Sequence, residues 1–172
     1  MRNVLAVTAL MALALGGCVK EQVIPYTRVL DTPQNRELVQ VVERYRMAME
    51  RKDAVALLSM ASPDYFEDSG TPGADDDYGY DGLRAVLQRR LSQIETLRYS
   101  MQYMHIEVKN ASCGSRMDPN QKKPCMLALV DVYIDGSFQI RTPQGDRWDR
   151  KQDPHRFELV HDGQRWLFRR GM

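Results

Sequence analysis

Three side chains on two predicted neighbouring strands could together move protons: Tyr103, His105 and Asp131. Alternate residues of a strand share a face, so Tyr103 and His105 fall on the same side of the predicted strand 97–109. Asp131 or Tyr133 on the next strand could complete the set, since histidine and carboxylates are the usual general acids and bases. These residues are the catalytic candidates of the sequence, and the opposing interpretation is that they lie on the outer, mixed face of a sheet.

A cluster of carboxylates invites a calcium interpretation. It consists of Glu67, Asp68, Asp75, Asp76, Asp77 and Asp81. Hard oxygen ligands suit Ca²⁺, but the spacing does not follow D-x-[DN]-x-[DN]-G. A solvated loop is the prediction, with no metal and no cofactor. The sequence also lacks G-x-S-x-G, H-E-x-x-H and a phosphate-binding glycine loop, which argues against hydrolase, metalloprotease and nucleotide-binding functions.

The N-terminus has the features of an export signal. Arg2 precedes twelve almost wholly apolar residues, 4–15, which would span about 18 Å as a helix, too short for a hydrocarbon core of about 30 Å. The following Leu15-Gly16-Gly17-Cys18 resembles the lipobox of bacterial lipoproteins. The resemblance implies diacylglyceryl transfer to the sulfur of Cys18, cleavage before it and fatty acylation of the new amine. An ordinary secretory signal with a nearby cysteine is the alternative.

Lipidation would place the mature chain on a membrane. One acyl chain binds marginally, whereas two or more anchor stably. Val19 follows the lipidated position, where the lipoproteins retained at the inner membrane tend to carry aspartate. The prediction is a periplasmic-facing protein anchored through Cys18, in the outer membrane rather than the inner one.

The remaining cysteines, Cys113 and Cys125, bracket a polar, turn-rich stretch. In an oxidising periplasm two cysteines around one loop predict a disulfide. A zinc pair is the alternative, but zinc takes four ligands and no further Cys or His lies nearby in sequence. The formal charge of +1, from 24 basic and 23 acidic residues, gives no basis for nucleic acid binding.

The periodicity of apolar residues changes from helical to strand-like near Leu97. Thr32-Pro33 begins a predicted helix over 33–51, Asp53 caps a second, and Asp81 caps a third after two short aromatic strands. Strands are predicted over 97–109, 124–135, 154–161 and 164–170, the last two joined by Asp162-Gly163. Helices followed by an antiparallel meander define an α+β class. The predicted domains are a signal peptide, 1–17, a lipidated tether, 18–31, and one folded domain, 32–172.

Three segments resemble the nuclear transport factor 2-like, or SnoaL-like, family. They are VVERYRMAMERKDAVALLSMASPDYFED with Tyr45, Ala48 and Asp53, then YGYDGLRAVLQRRL, and GQRWLFRR with Trp166 facing inward. The resemblance covers about residues 33–170. It implies a cone, in which a curved antiparallel sheet wraps the helices and leaves a pocket at the open end. Members of this family include isomerases, dehydratases and hydrolases with an Asp, His or Tyr in the pocket, and also non-catalytic binding or dimerising domains.

The choice between these functions depends on which sheet face is concave. Even-numbered residues from Met126 to Ile134 are uniformly apolar, so this face is expected to line the cone. Tyr103, His105 and Asp131 then fall on the convex side. The expected function is a lipid-anchored binding or assembly module that is not an enzyme, with a protein partner or second copy on the sheet face. The alternative is an isomerase or dehydratase with an acid–base residue in the cone.

Overall fold

The structure, a computed structural model, describes residues 21–68, 76–114 and 122–172. The described residues form three helices, a two-stranded sheet and a four-stranded sheet. In chain order the elements are α1 (Pro33–Glu50), α2 (Ala54–Met60), β1 (Phe66–Glu67), β2 (Tyr78–Gly79), α3 (Tyr80–Gln93), β3 (Ile94–Cys113), β4 (Lys123–Thr142), β5 (Gly145–His161) and β6 (Trp166–Arg170). In the described ranges, none of the helices has the length and hydropathy needed to cross a bilayer.

The first two helices begin as the sequence predicts. The Thr32 side chain accepts a hydrogen bond from the Asn35 amide with Pro33 in the first turn, and Asp53 accepts from the Ala56 amide. Helix α3 differs, because its cap is Gly79, which makes no side-chain hydrogen bond, and Asp81 lies inside the first turn. An acidic residue there still favours the helix electrostatically.

The main sheet is an antiparallel meander in the order β3-β4-β5-β6. The α+β class is therefore confirmed, but β4 and β5 are much longer than predicted. They continue to a hairpin at Thr142–Gly145, where Gly145 has φ +114°. Residues 145–152 of β5 are exposed on both faces, so this part of the strand has no apolar alternation by which the sequence could reveal it.

The core lies between the even-numbered face of β4 and the helices. Ala128, Val130, Val132 and Ile134 are buried there, which confirms the predicted concave face. Tyr45 of α1 packs on Phe157 and Phe168 with ring centroids 5.1 and 5.2 Å apart. This aromatic group joins the first helix to the last two strands, and Trp166, 3% exposed, faces inward as predicted.

Strand β3 lies at one edge of the sheet and carries two bulges. One adds Glu95 between the Ile94 and Thr96 pairings, and the other adds Met104 between those of Tyr103 and His105. Each extra residue reverses the alternation of side chains beyond it. The second bulge therefore places Tyr103, opposite Val132, on the concave face and His105, opposite Asp131, on the convex face.

The chain just before α1 contacts the sheet. Val29 is 2% exposed, and the Arg28 amide donates to the Tyr103 carbonyl at 3.0 Å, beside the second bulge. Residues 22–31, which fall in the predicted tether, are thus in contact with the sheet through Arg28 and Val29.

Candidate functional site: the concave cavity

Tyr103, His105 and Asp131, the candidates weighed for catalysis, do not form one site. Tyr103 is 4% exposed, and its hydroxyl donates to Glu43 at 2.8 Å, so its predicted convex position is wrong. His105 is exposed on the opposite face. Beside it, Asp131 accepts two hydrogen bonds from Arg156, at 2.6 and 2.9 Å. These bonds and the Arg156 charge hold the pKa of Asp131 below its ordinary value, which makes this carboxylate half of an ion pair and a poor base.

A cavity of about 400 Å³ opens instead on the concave side, between the sheet and helices α1 and α3. Its apolar walls come from α1, β3 and β4: Met49, Ile94, Leu97, Ile134, Phe138 and Ile140. Gly136 lies opposite Tyr99, and a Cβ on this glycine would stand 3.3 Å from the tyrosine ring. The missing side chain leaves room for that ring within the cavity wall.

Two tyrosines give this cavity neutral hydrogen-bond donors. Burial raises the pKa of Tyr45 well above its ordinary value, and it raises the pKa of Tyr99 to about 12 despite a hydrogen bond with Tyr45 that lowers it. Both hydroxyls are protonated at neutral pH, as tyrosine ordinarily is, and one of their protons is used in the hydrogen bond between them. The Tyr99 backbone is fixed on the edge strand, since its amide donates to Glu50 and its carbonyl accepts from Arg46.

His155 is a cavity residue that the sequence did not reveal. It pairs with Val132 across β4 and β5, so its ring lies on the concave face of the sheet and lines the cavity. Its Nε2 lies 2.7 Å from the Gly171 carbonyl. A carbonyl only accepts, so Nε2 carries a proton, and in the neutral ring Nδ1 remains as an acceptor.

Charged residues surround the mouth of the cavity. Lys151 and Asp153 form an ion pair at 3.4 Å, with side chains 72% and 50% exposed, and Arg90 lies on the same rim. Pairing and solvent leave these groups better suited to attracting or orienting a polar end of a ligand than to proton transfer inside the cavity.

A second cavity, of about 650 Å³, lies at the other end of the sheet. Several of its polar groups are already used by the backbone. Asp162 accepts from the amides of Gln164 and Arg165, and the amide of Ser62 donates to Phe168. We therefore take the smaller cavity, which holds His155 and the tyrosines, as the candidate site.

The other predicted residues lie elsewhere. Cys113 and Cys125 are joined by a disulfide at the end of the β3–β4 pair where the chain passes from β3 to β4, with Cα atoms 5.7 Å apart. In the acidic cluster, Glu67 accepts from the Tyr65 hydroxyl and the Gly171 amide. Cys18 and Asp75 lie outside the described residues, as does the whole signal segment.

The fold is shared with proteins of the nuclear transport factor 2-like class. A ketosteroid isomerase-like protein from Erwinia carotovora atroseptica is 17% identical, with a TM-score of 0.55 over 81% of this chain and 94% of that one. A candidate dehydratase of the nuclear transport factor 2-like family from Streptomyces avermitilis is 13% identical, with a TM-score of 0.55 over 79% and 92%. A candidate scytalone dehydratase from Novosphingobium aromaticivorans is 10% identical, with a TM-score of 0.56 over 80% of each chain.

No protein-family model and no curated protein matches the sequence. At these identities the structural likeness defines the fold as nuclear transport factor 2-like, and it leaves the activity to be argued from the site.

Proposed function

We propose that the protein is a lipid-anchored ligand-binding domain whose concave cavity holds a small, mainly apolar molecule with a hydrogen-bond acceptor. The observation that carries this proposal is the cavity of about 400 Å³ itself. Ligand sites are typically of this size, with apolar walls and a few polar groups that fix orientation. The neutral Tyr45 and Tyr99 hydroxyls and the His155 ring are such groups.

The membrane part of the proposal rests on the Leu15-Gly16-Gly17-Cys18 sequence. Lipidation at Cys18 would keep the domain on the periplasmic side of a membrane, with the outer membrane favoured. Replacing Cys18 by serine should then move the protein from the membrane fraction to the soluble fraction of the cells.

Blocking the cavity tests the binding function. The fluorescent probe 8-anilinonaphthalene-1-sulfonate has an apolar body and one anionic group, which suits these walls and the Arg90 and Lys151 rim. Leu97→Trp places a large ring inside the cavity and should weaken probe binding at least tenfold. The control, Gln102→Trp, adds the same ring to the exposed face of the same strand and should leave binding unchanged.

Two outcomes would contradict this proposal. One is a folded wild-type protein that does not enhance the fluorescence of the probe. The other is Leu97→Trp binding the probe as tightly as Gln102→Trp does. Circular dichroism of both variants would establish that each remains folded.

His155 supports a second candidate function, acid–base catalysis of the isomerase or dehydratase type. It is the imidazole on the concave face of the cavity, and the structural neighbours include proteins with those descriptions. The test is exchange of the protons beside the carbonyl of α-tetralone with D₂O. Exchange that exceeds the buffer rate and disappears in His155→Gln, with ligand binding retained, would establish catalysis, and exchange at the buffer rate in the wild type would exclude it for this ketone.

A further inference from the structure

The chain that precedes α1 folds into a short loop, which we term the N-terminal ribbon, residues 22–31. The Ile24 amide donates to the Val29 carbonyl at 2.9 Å, and the Asp31 amide donates to the Gln22 carbonyl at 2.8 Å. Val23 and Leu30 pair as an antiparallel bridge between these bonds. The ribbon is therefore a small hairpin with Tyr26 near its tip.

The ribbon is fixed to the domain by backbone and core contacts. Arg28 donates its amide to Tyr103, Val29 is buried, and Ile24 packs against the core. The Thr27 hydroxyl closes the turn, because it donates to the Ile24 carbonyl at 2.8 Å and accepts from the Val29 amide at 3.1 Å. Because the ribbon is fixed to the domain, any surface that the ribbon binds would also set the direction in which the domain faces.

Apolar side chains of the ribbon nevertheless face solvent. Tyr26 is fully exposed, at 101%, while Val23 and Leu30 are 47% and 43% exposed. Because Val23 and Leu30 are directly paired, their side chains share one face of the ribbon. Among the residues that the structure describes, the other large exposed apolar side chains are scattered, whereas these three lie within eight residues of one another.

The backbone of Tyr26 adds an independent observation. Its φ is +64°, in the left-handed region that a side chain with a Cβ rarely adopts. Such a conformation persists where the surrounding structure imposes it, and it often marks a functional position. Here the turn closed by Thr27 holds the Tyr26 ring in solvent, although the left-handed backbone conformation of Tyr26 costs free energy.

The position of the predicted anchor indicates what covers this surface. Three residues lie between Cys18 and Gln22, so their Cα atoms are at most about 14 Å apart along an extended chain. A lipid on Cys18 would hold the ribbon against the bilayer surface, where tyrosine is favoured because its ring is apolar and its hydroxyl is polar. The ribbon also presents the exposed Arg28, while Arg36 neutralises Asp31 with a hydrogen bond of 2.7 Å, a charge balance that suits anionic headgroups.

We propose that the N-terminal ribbon docks on the lipid bilayer, with Val23, Tyr26 and Leu30 at the headgroup level. The inference rests on the proposed Cys18 anchor. It assigns to the anchored domain a fixed orientation on the membrane instead of free rotation on a tether.

Fluorescence quenching by the lipid itself tests the proposal. Full-length lipidated protein is reconstituted in phosphatidylethanolamine–phosphatidylglycerol vesicles with brominated acyl chains, in a Trp148→Phe background that removes an exposed tryptophan. Tyr26→Trp places the reporter in the ribbon. The matched control is Val55→Trp on α2, where Val55 is 80% exposed. Tyr26→Trp should be quenched at least twofold more strongly than Val55→Trp.

Flotation separates failure of the anchor from failure of docking. If Cys18→Ser floats with the vesicles as the parent protein does, the anchor itself is wrong, and the docking inference that depends on it is overturned. If only the parent floats and the two tryptophans are quenched equally, the anchor stands and docking is overturned. A third outcome would also overturn docking on the bilayer. In it the ribbon tryptophan is shielded from acrylamide but is not quenched by the lipid, and the protein crosslinks as a dimer. This result would identify a second copy of the chain as the occupant of the ribbon surface.

Discussion

At the scale of single residues, position on the sheet decides the chemistry of each polar side chain. Asp131 faces outward and is paired with Arg156, whereas Tyr99 faces inward and is mostly withdrawn from water. Charge is stabilised by pairing on the convex face, and on the concave face burial raises the pKa of the tyrosines. The tyrosines of the cavity therefore stay neutral even in alkaline solution, where exposed tyrosines ionise.

The raised pKa of Tyr99 predicts how stability depends on pH. In the unfolded chain Tyr99 loses its proton near pH 10, while in the folded protein it keeps the proton until about pH 12. Between these values the unfolded state binds fewer protons, so the free energy of unfolding falls as pH rises, by up to about 1.4 kcal/mol per pH unit from this group. Tyr99→Phe should remove that contribution.

Urea unfolding of the wild type and Tyr99→Phe at pH 7, 10 and 11 measures the effect. The comparison at pH 7 gives the packing cost of the lost hydroxyl, which is then subtracted. Above pH 10 the free energy of unfolding of the wild type should fall relative to that of Tyr99→Phe. A constant difference from pH 7 to pH 11 would show that Tyr99 titrates normally in the folded state.

At the scale of elements, the edge strand β3 is shaped by its two bulges, and each has a partner outside the sheet. At the first bulge the Lys52 ammonium donates to the Ile94 and Glu95 carbonyls at 2.7 and 3.0 Å. At the second, the Arg28 amide of the N-terminal ribbon donates to Tyr103. These contacts satisfy carbonyls on an unpaired edge and hold β3 against the helices.

Removal of the first contact should loosen the beginning of β3. Lys52→Met keeps most of the side-chain length but cannot donate, and it should lower the free energy of unfolding by about 1–2 kcal/mol, since bonds from charged donors are the stronger ones. Arg51→Met, an exposed neighbour, should change it by less than about 0.5 kcal/mol. Equal effects of the two substitutions in thermal unfolding would show that the Lys52 bonds contribute nothing.

The bulges also explain which elements the sequence could and could not predict. Alternation from Met126 to Ile134 correctly gave the concave face of β4, because strand β4 has no extra residue in that span. Tyr103, Met104 and His105 all suit a strand, so nothing in their types reveals that Met104 is the extra residue. His155 was missed although alternation within the predicted strand 154–161 places it on the same face as Phe157 and Leu159, both of which are buried.

At the scale of the whole molecule, the β3–β4 pair carries its two special features at opposite ends. The cavity lies along residues 94–99 and 134–140, while the disulfide closes the end at Cys113 and Cys125. About fourteen residues of β3 separate Tyr99 from Cys113, roughly 46 Å along an extended strand. Perturbations this far apart, with no shared partners, are expected to act independently.

This separation predicts that the disulfide supports stability without affecting the cavity. Replacing both Cys113 and Cys125 by alanine opens a loop with a sequence separation of 12 and should lower the free energy of unfolding by about 3 kcal/mol in the chain-entropy model. Probe affinity in the folded variant should stay within twofold of the wild type, measured beside the unfolding curve. Weaker probe binding in a variant that is still folded would contradict this expectation. It would mean that the curvature of the whole β3–β4 pair, rather than its cavity end alone, sets the shape of the site. The effect of removing the disulfide would then be transmitted along the hydrogen bonds that β3 and β4 share.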